Sequence, residues 1–294
     1  MKTSNTSVRP RDEAELLAFW KSVTDRRSIG LANAFAEDIA EFRSEPIDHV
    51  LQRMAQGTVE FRELWQASNV DVTNPRAIAE FYRDQFTEAY ELANWHAGRT
   101  IGLPPLHYAA AALLARKRGL VRALDFGSGI GTGSMCLAHV GCEVHSADIA
   151  QQLLAFVDFR MRKHGFRPRP IDLASGALPE KGYFDLITCF DVLEHIPNQL
   201  AKLAELSTYL RPGGHLIVNM MQDSSDPDRP MHISSAGDWL SMVRRTNLVP
   251  DWAVYCGGAA VLIRGRHGRV WNLAGATMDR IQRKRPRLIQ TATR

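Results

Sequence analysis

Residues 123–133 read Ala-Leu-Asp-Phe-Gly-Ser-Gly-Ile-Gly-Thr-Gly, an apolar run that enters a cluster of alternate glycines. A segment of this kind suits one local structure best: a buried strand, a tight turn, and the first turn of a helix. In an open α/β sheet, ligands bind outside the carboxyl ends of the strands, where such a turn lies. Gly127, Gly129 and Gly131 allow the backbone to approach a ligand closely and to take dihedrals that other residues avoid. The amides of the following helix favour an anionic group. The spacing is D-x-G-x-G-x-G rather than the G-x-G-x-x-G of dinucleotide sites, because the sixth residue from Gly127 is Thr132 and from Gly129 is Ser134. The carboxylate of Asp125 at the strand end would repel a pyrophosphate. It suits the cationic amino group of an amino-acid moiety.

The flanking pattern extends this unit into a sheet. Strands are expected over 121–126, 142–147, 169–171, 184–190 and 214–221. Helices are expected over 132–140, 150–164 and 198–210, a strand–helix alternation that implies a doubly wound, mostly parallel α/β sheet. Beyond a helix over 238–246, strands over 252–256 and 259–264 are joined by Gly257-Gly258. A two-residue connection makes an antiparallel hairpin, so the last strand should oppose the others. The first part of the chain is different. Apolar residues at helical spacing (Leu16, Phe19, Trp20 and Val23; Leu31, Phe35, Ile39 and Phe42; Phe61, Leu64 and Trp65) predict an N-terminal helical extension. Asn74-Pro75 predicts a cap and first turn for a helix carrying Ile78, Tyr82, Phe86 and Tyr90. Another helix over 106–118 should end at Gly119. Three regions result: a helical cap and specificity region over 1–110, a ligand-binding domain over 111–266, and a basic tail over 267–294.

Composition bounds the function. Apolar residues make up 45% and charged residues 23%, as in globular proteins. No apolar run approaches the roughly 20 residues of a membrane helix, which excludes a membrane-embedded role. Met1–Pro10 lacks the apolar stretch of a signal peptide, so a cytoplasmic location is expected. None of the four cysteines forms a C-x-x-C pair, so no metal site is expected. Residues 264–294 hold nine Lys or Arg against a single acid, Asp279, while the whole chain carries only +4. The body is therefore net acidic, which argues against a nucleic-acid groove.

Further acids follow the glycine segment at the spacing of a ligand site. Asp148 ends the second strand, twenty-one residues after Gly127, where a carboxylate accepts ribose hydroxyls or caps the next helix. Asp172 ends the third strand and could meet an adenine amino group or serve its own turn. The fourth strand ends in Phe190-Asp-Val-Leu-Glu-His195, and Leu210-Arg-Pro-Gly-Gly-His-Leu-Ile-Val218 leads into the fifth.

Together these four blocks resemble the motifs of class I S-adenosylmethionine-dependent methyltransferases, over about residues 81–264. The resemblance implies a seven-stranded sheet with an antiparallel last strand and S-adenosyl-L-methionine as cofactor. It implies that Asp125, Gly127, Ser128, Gly129 and Gly131 hold the methionine part, and that Asp148 and Ile149 hold ribose and flank adenine. It further implies that Asp172 and Leu173 meet the adenine edge, and that Phe190 and Asp191 close over the amino-acid end. Tyr82 is a further candidate cofactor contact from the N-terminal helices.

Methyl transfer to a hydroxyl or a protonated amine needs proton removal. His232, His195 and His96 are the candidate bases, with His232 ahead because it lies in a loop expected to close the acceptor pocket; Asp191 is a fourth candidate. The reading favoured is methyl transfer to an oxygen or nitrogen of a small molecule or peptide, with the N-terminal helices as lid. Competing readings are an RNA or protein methyltransferase guided by the basic tail, and a cofactor-binding regulator without catalysis. The apolar helices could equally serve a homodimer interface.

Overall fold

The computed structural model describes residues 10–219, 229–233, 239–251, 256 and 259–265. Five strands follow the apolar runs: β1 (Arg122–Phe126), β2 (Glu143–Asp148), β3 (Pro170–Asp172), β4 (Phe184–Cys189) and β5 (Leu210–Val218). With β6 (Leu248–Pro250) and β7 (Ala260–Arg264) they form one sheet in the order β3-β2-β1-β4-β5-β7-β6. β7 is antiparallel to both its neighbours, and β1 to β5 pair in parallel. The expected doubly wound sheet with an opposed last strand is therefore what forms. β4 is buried along its whole length, as a central strand covered on both faces must be.

The strand order reverses at β1, where β2 and β4 leave on opposite sides. This switch point opens the crevice at the strand ends. The helices that follow the strands are α7 (Thr132–His139), α8 (Gln151–Lys163), α9 (Gln199–Tyr209) and α10 (Trp239–Arg244). A strand not expected from the sequence, at 248–250, also pairs with β7. Residues 252–255 and the Gly257-Gly258 connection fall outside the described residues, as does the basic tail. Cys256 and Ala259 nonetheless pair across that connection as an antiparallel bridge.

Among the described residues six helices precede the sheet: α1 (Pro10–Thr24), α2 (Leu31–Arg43), α3 (Ile47–Ser68), α4 (Pro75–Arg83), α5 (Thr87–His96) and α6 (His107–Arg118). Asn74 caps α4 as its position predicts, accepting from the Arg76 amide at 3.0 Å. Gly119 ends α6 with a left-handed φ of 62°. One expectation is corrected: the helix carrying Ile78, Tyr82, Phe86 and Tyr90 is two helices, broken after Arg83. Phe81 and Tyr82 pack with Phe61 and Trp65, whereas Phe86 and Tyr90 join the main core beside Phe156. One straight helix cannot point those two pairs into separate clusters.

The N-terminal helices share their core with the sheet. Trp20, Phe35, Ile39 and Tyr90 belong to the same buried cluster as Ile130, Met135 and Phe156. No helix among the described residues is long and apolar enough to cross a membrane.

Candidate active site

β1 delivers the chain into the glycine loop, which backbone bonds help to fix. The amides of Gly127 and Ser128 both donate to the Ala147 carbonyl of β2, at 2.8 and 3.2 Å, and Gly131 donates to Ser128 at 2.7 Å. Gly127, Gly129 and Gly131 take φ of 71°, 50° and 77°, the left-handed region that favours glycine. A methyl on Gly127 would stand 2.1 Å from Val192, and one on Gly131 would crowd Val157 at 2.9 Å. The first glycine thus admits the loop after β4, and the third admits α8.

The loop borders a cavity of about 340 Å³ at the strand ends, within the size range of small-molecule sites. Gly127, Ser128, Gly129, Asp148, Ile149, Leu173, Phe190 and Asp191 line it, together with Tyr82, His96 and His195. The sequence reading therefore brings most of its site residues to one place. Asp148 accepts from the amide of Gly129 at 2.8 Å and from that of Ala150 at 2.9 Å. Burial pushes its carboxyl up to about 6 despite those donors.

Three expected contacts lie elsewhere. Asp125 is buried behind the loop, accepting from Ser134 and from Thr188, each at 2.8 Å, and it does not line the cavity. Burial pushes its carboxyl up to about 6 as well. Its position is that of a brace between β1, β4 and α7. Gly131 likewise serves packing. Asp172 accepts from the amides of Ala174 and Ser175 and from the side chain of Gln151, so it caps its own turn and does not line the cavity.

Beyond β4 the backbone takes a strained turn. Asp191 has φ of 55°, unusual for a residue with a side chain. Asn219 holds it there: the Asp191 amide donates to Asn219 Oδ1 at 2.7 Å, and Asn219 Nδ2 donates to Asp191 Oδ1 at 2.9 Å. The other oxygen, Oδ2, is buried without a hydrogen bond, 3.5 Å from His107 Nε2. Phe190 packs edge-on against His107 and Tyr108, centroids 4.6 and 4.9 Å apart.

The histidines separate by geometry. His195 lines the cavity and meets the Tyr82 hydroxyl, Nδ1 to Oη 3.1 Å. Burial and the nearby His232 push its pKa down to about 3, so the ring is neutral near pH 7. His232 stands edge-on to His195 at 5.0 Å and does not itself line the cavity. Of the candidate bases expected from sequence, His232 led, whereas the structure puts His195 and His96 on the cavity lining. Glu194, His195 and His232 each bring one ligand atom within 4.8 Å of the others. His96 is buried, tied through Nδ1 to Thr132 Oγ1 at 2.9 Å, with Trp20, Phe35 and Tyr108 around its ring. Burial holds its pKa well below the usual range.

Sequence reasoning missed the α5 wall. Glu88 and Leu92 line the cavity with Trp95 and His96, a spacing of i, i+4, i+7 and i+8 that marks one helix face. That face was hidden because residues 75–90 read as one continuous helix.

S-adenosylmethionine carries an ammonium, a carboxylate, a ribose diol and an adenine, and the cavity offers matching groups. Among its lining residues, Ser128 Oγ, His96 Nε2 and Asp191 Oδ2 are buried without hydrogen-bond partners. Such groups take their partners from a ligand or from ordered water. Their site lies beside the glycine loop, and Asp148 lies at the ribose position of doubly wound folds.

Comparison with known proteins finds relatives of this chain. The chain is 32% identical over 97 residues to ubiquinone biosynthesis O-methyltransferase of Ralstonia nicotianae, covering 32% of this chain and 41% of that protein. It is 33% identical over 95 residues to the enzyme of the same name from Burkholderia ambifaria, covering 32% and 41%. The chain thus spans about two fifths of the length of these curated relatives. Among solved structures, phosphoethanolamine N-methyltransferase 2 of Haemonchus contortus, in complex with S-adenosyl-L-methionine, is similar at 21% identity with a TM-score of 0.39, covering 47% of this chain and 36% of that one. The family model described as "Methyltransferase domain" matches residues 94–272, more than half of the sequence. The chain belongs to this methyltransferase-domain family.

Proposed function

We propose that the protein methylates a hydroxyl oxygen of a small, largely apolar acceptor, and that the Tyr82–His195 pair removes the proton. The observation that carries this reading is that pair itself: a neutral imidazole bonded to a phenol, both lining the cavity at the loop after β4. The bound cofactor supplies an activated methyl group on a sulfonium. What remains for the protein is alignment, exclusion of water and proton removal.

The roles follow from position. Ser128, Gly129, Asp148 and Ile149 hold the cofactor, with Leu173 on the adenine side. Asp191, set by Asn219, faces the amino-acid end. The acceptor lies against Trp95, Tyr108 and Phe190, whose rings favour an aromatic or similarly flat molecule. The acceptor proton passes to the Tyr82 oxygen as the Tyr82 proton passes to His195 Nδ1. Burial raises the Tyr82 pKa well above its usual value, so the phenol rests protonated. The N-terminal helices close the cavity, which gives them the lid role as well as part of the core.

The relatives named as ubiquinone biosynthesis O-methyltransferases support a phenolic acceptor. The test is incubation with isotope-labelled S-adenosylmethionine and separate panels of phenols, catechols, amines and short peptides, read by mass spectrometry. Methylation of phenols or catechols is expected. Transfer confined to amines or peptides would overturn the oxygen acceptor.

A further inference from the structure

α5 lies along the glycine loop, and three of its residues mark its course. At its first turn, Glu88 lines the cavity, and burial, with the charges of Asp148 and Glu91, raises its pKa well above the usual carboxylate range. One turn on, Leu92 sits over Gly129, where an added methyl would lie 3.1 Å from its Cδ1. A further turn on, His96 is bonded to Thr132 at the start of α7. Residues i, i+4 and i+8 share one face and span about 12 Å at 1.5 Å per residue. The helix therefore runs along the glycine loop to the N-terminus of α7.

Both ends of this face carry unmatched polar groups. Glu88 has no hydrogen-bond or ion-pair partner among the described residues, although it is half-buried in an apolar wall beside another carboxylate. His96 is 3% exposed and its Nε2 has no partner. Two carboxylates side by side without a cation repel each other, and a donor placed between them relieves this. When the Thr132 hydroxyl donates to Nδ1, the neutral imidazole carries its proton on Nε2 and can donate to an anion.

We propose that α5 is the second wall of the cofactor site, with Glu88 accepting from a ribose hydroxyl and His96 Nε2 donating to the cofactor's carboxylate. This rests on Asp148 as the ribose acceptor. It moves His96 from base to binding residue, and it makes the N-terminal region part of the cofactor pocket rather than of the acceptor pocket alone.

The test measures binding of S-adenosylhomocysteine and 5′-methylthioadenosine to the full chain by calorimetry. The second ligand keeps the ribose and adenine but lacks the amino-acid end. Glu88→Ala should weaken both ligands by roughly tenfold, the loss of a hydrogen bond to a charged group. His96→Ala should weaken S-adenosylhomocysteine by a similar factor and leave methylthioadenosine unchanged. His96→Gln, which keeps a donor, should recover part of the loss. Unchanged affinity in Glu88→Ala, or equal losses of both ligands in both His96 variants, would overturn the proposal. Asp148→Ala is the control: if it also binds both ligands normally, the ribose assignment itself fails, whereas a loss there with Glu88→Ala unaffected rejects only the α5 wall.

Discussion

Arg160 of α8 donates from Nε to Asp38 of α2 at 2.9 Å, with both side chains buried, and from Nη1 to the Ile130 carbonyl of the glycine loop. One guanidinium therefore links the N-terminal helices, the second helix of the sheet domain and the cofactor loop. Lys163 and His164 add to the site from the same helix end, 2.9 and 3.1 Å from the Asp38 carboxylate. Burial alone would raise the Asp38 pKa, but Arg160 and its neighbours hold it well below the usual carboxylate range.

Breaking that pair from one side should be costly. Asp38→Ala leaves a buried guanidinium without its counter-charge, and a loss of about 3–5 kcal/mol is expected. Replacing both partners with apolar residues should cost less. Urea unfolding of Asp38→Ala and Asp38→Leu/Arg160→Met compares them, and a single variant as stable as the wild type would show that the link is idle.

Cofactor binding should depend on pH through Asp148. Its carboxyl is pushed up to about 6 by burial, so it is largely protonated at pH 5 and ionised at pH 7.5. An ionised carboxylate accepts stronger hydrogen bonds and attracts a cation, so affinity should rise across this window. Calorimetry between pH 5 and 7.5 on the wild type and Asp148→Asn checks this, and the rise should vanish in the variant.

Proton removal by Tyr82 and His195 should show in turnover and not in cofactor affinity. Tyr82→Phe and His195→Ala are expected to lower kcat by about 10²–10³, in the range of general base catalysis, at unchanged Kd for S-adenosylhomocysteine. His232→Ala should lower it less. Activity lost on chelator treatment and regained with a divalent cation would instead assign Glu194, His195 and His232 to a metal.

Histidine burial also sets the stability profile. His195 is pushed down to about 3 in the folded protein, against about 6.5 when unfolded. Between these values the unfolded chain binds the extra proton, so this group's contribution to stability grows as pH rises and is complete above about 6.5. Asp125 and Asp148 act in the opposite sense, because their raised pKa values make the folded state the better proton binder between about 4 and 6. With that opposing group removed, thermal stability of His195→Gln should fall more steeply than that of the wild type as pH rises from about 4 to 6.

The glycines should not be equivalent. Gly127→Ala drives a methyl into Val192 at a left-handed φ and should destabilise the fold. Gly129→Val is also strained at its left-handed φ but meets only Leu92, so it should destabilise the fold less than Gly127→Ala while losing cofactor binding. Equal melting temperatures for the two variants would reject this distinction. Truncation before residue 75 should abolish stable folding, because Trp20, Phe35 and Ile39 are part of the main core. A well-folded truncated protein would mean that the cap is a separate unit.

The sequence by itself determined the doubly wound sheet, its opposed last strand, the glycine turn and the carboxylate at Asp148. Each of these depends on neighbours within a few residues: apolar runs, alternate glycines and strand-end acids act locally. Tertiary structure alone decided what each polar residue faces. Asp125 and Asp172 occupy strand ends just as Asp148 does, yet hydroxyls from α7 and β4 surround the first, and its own turn engages the second. The break between α4 and α5 had the same origin. It serves two hydrophobic clusters that only the folded chain brings together, and it turns Glu88, Leu92 and His96 toward a loop some forty residues away. Helical periodicity fixes which residues share a face, whereas the partner of that face depends on contacts distant in sequence.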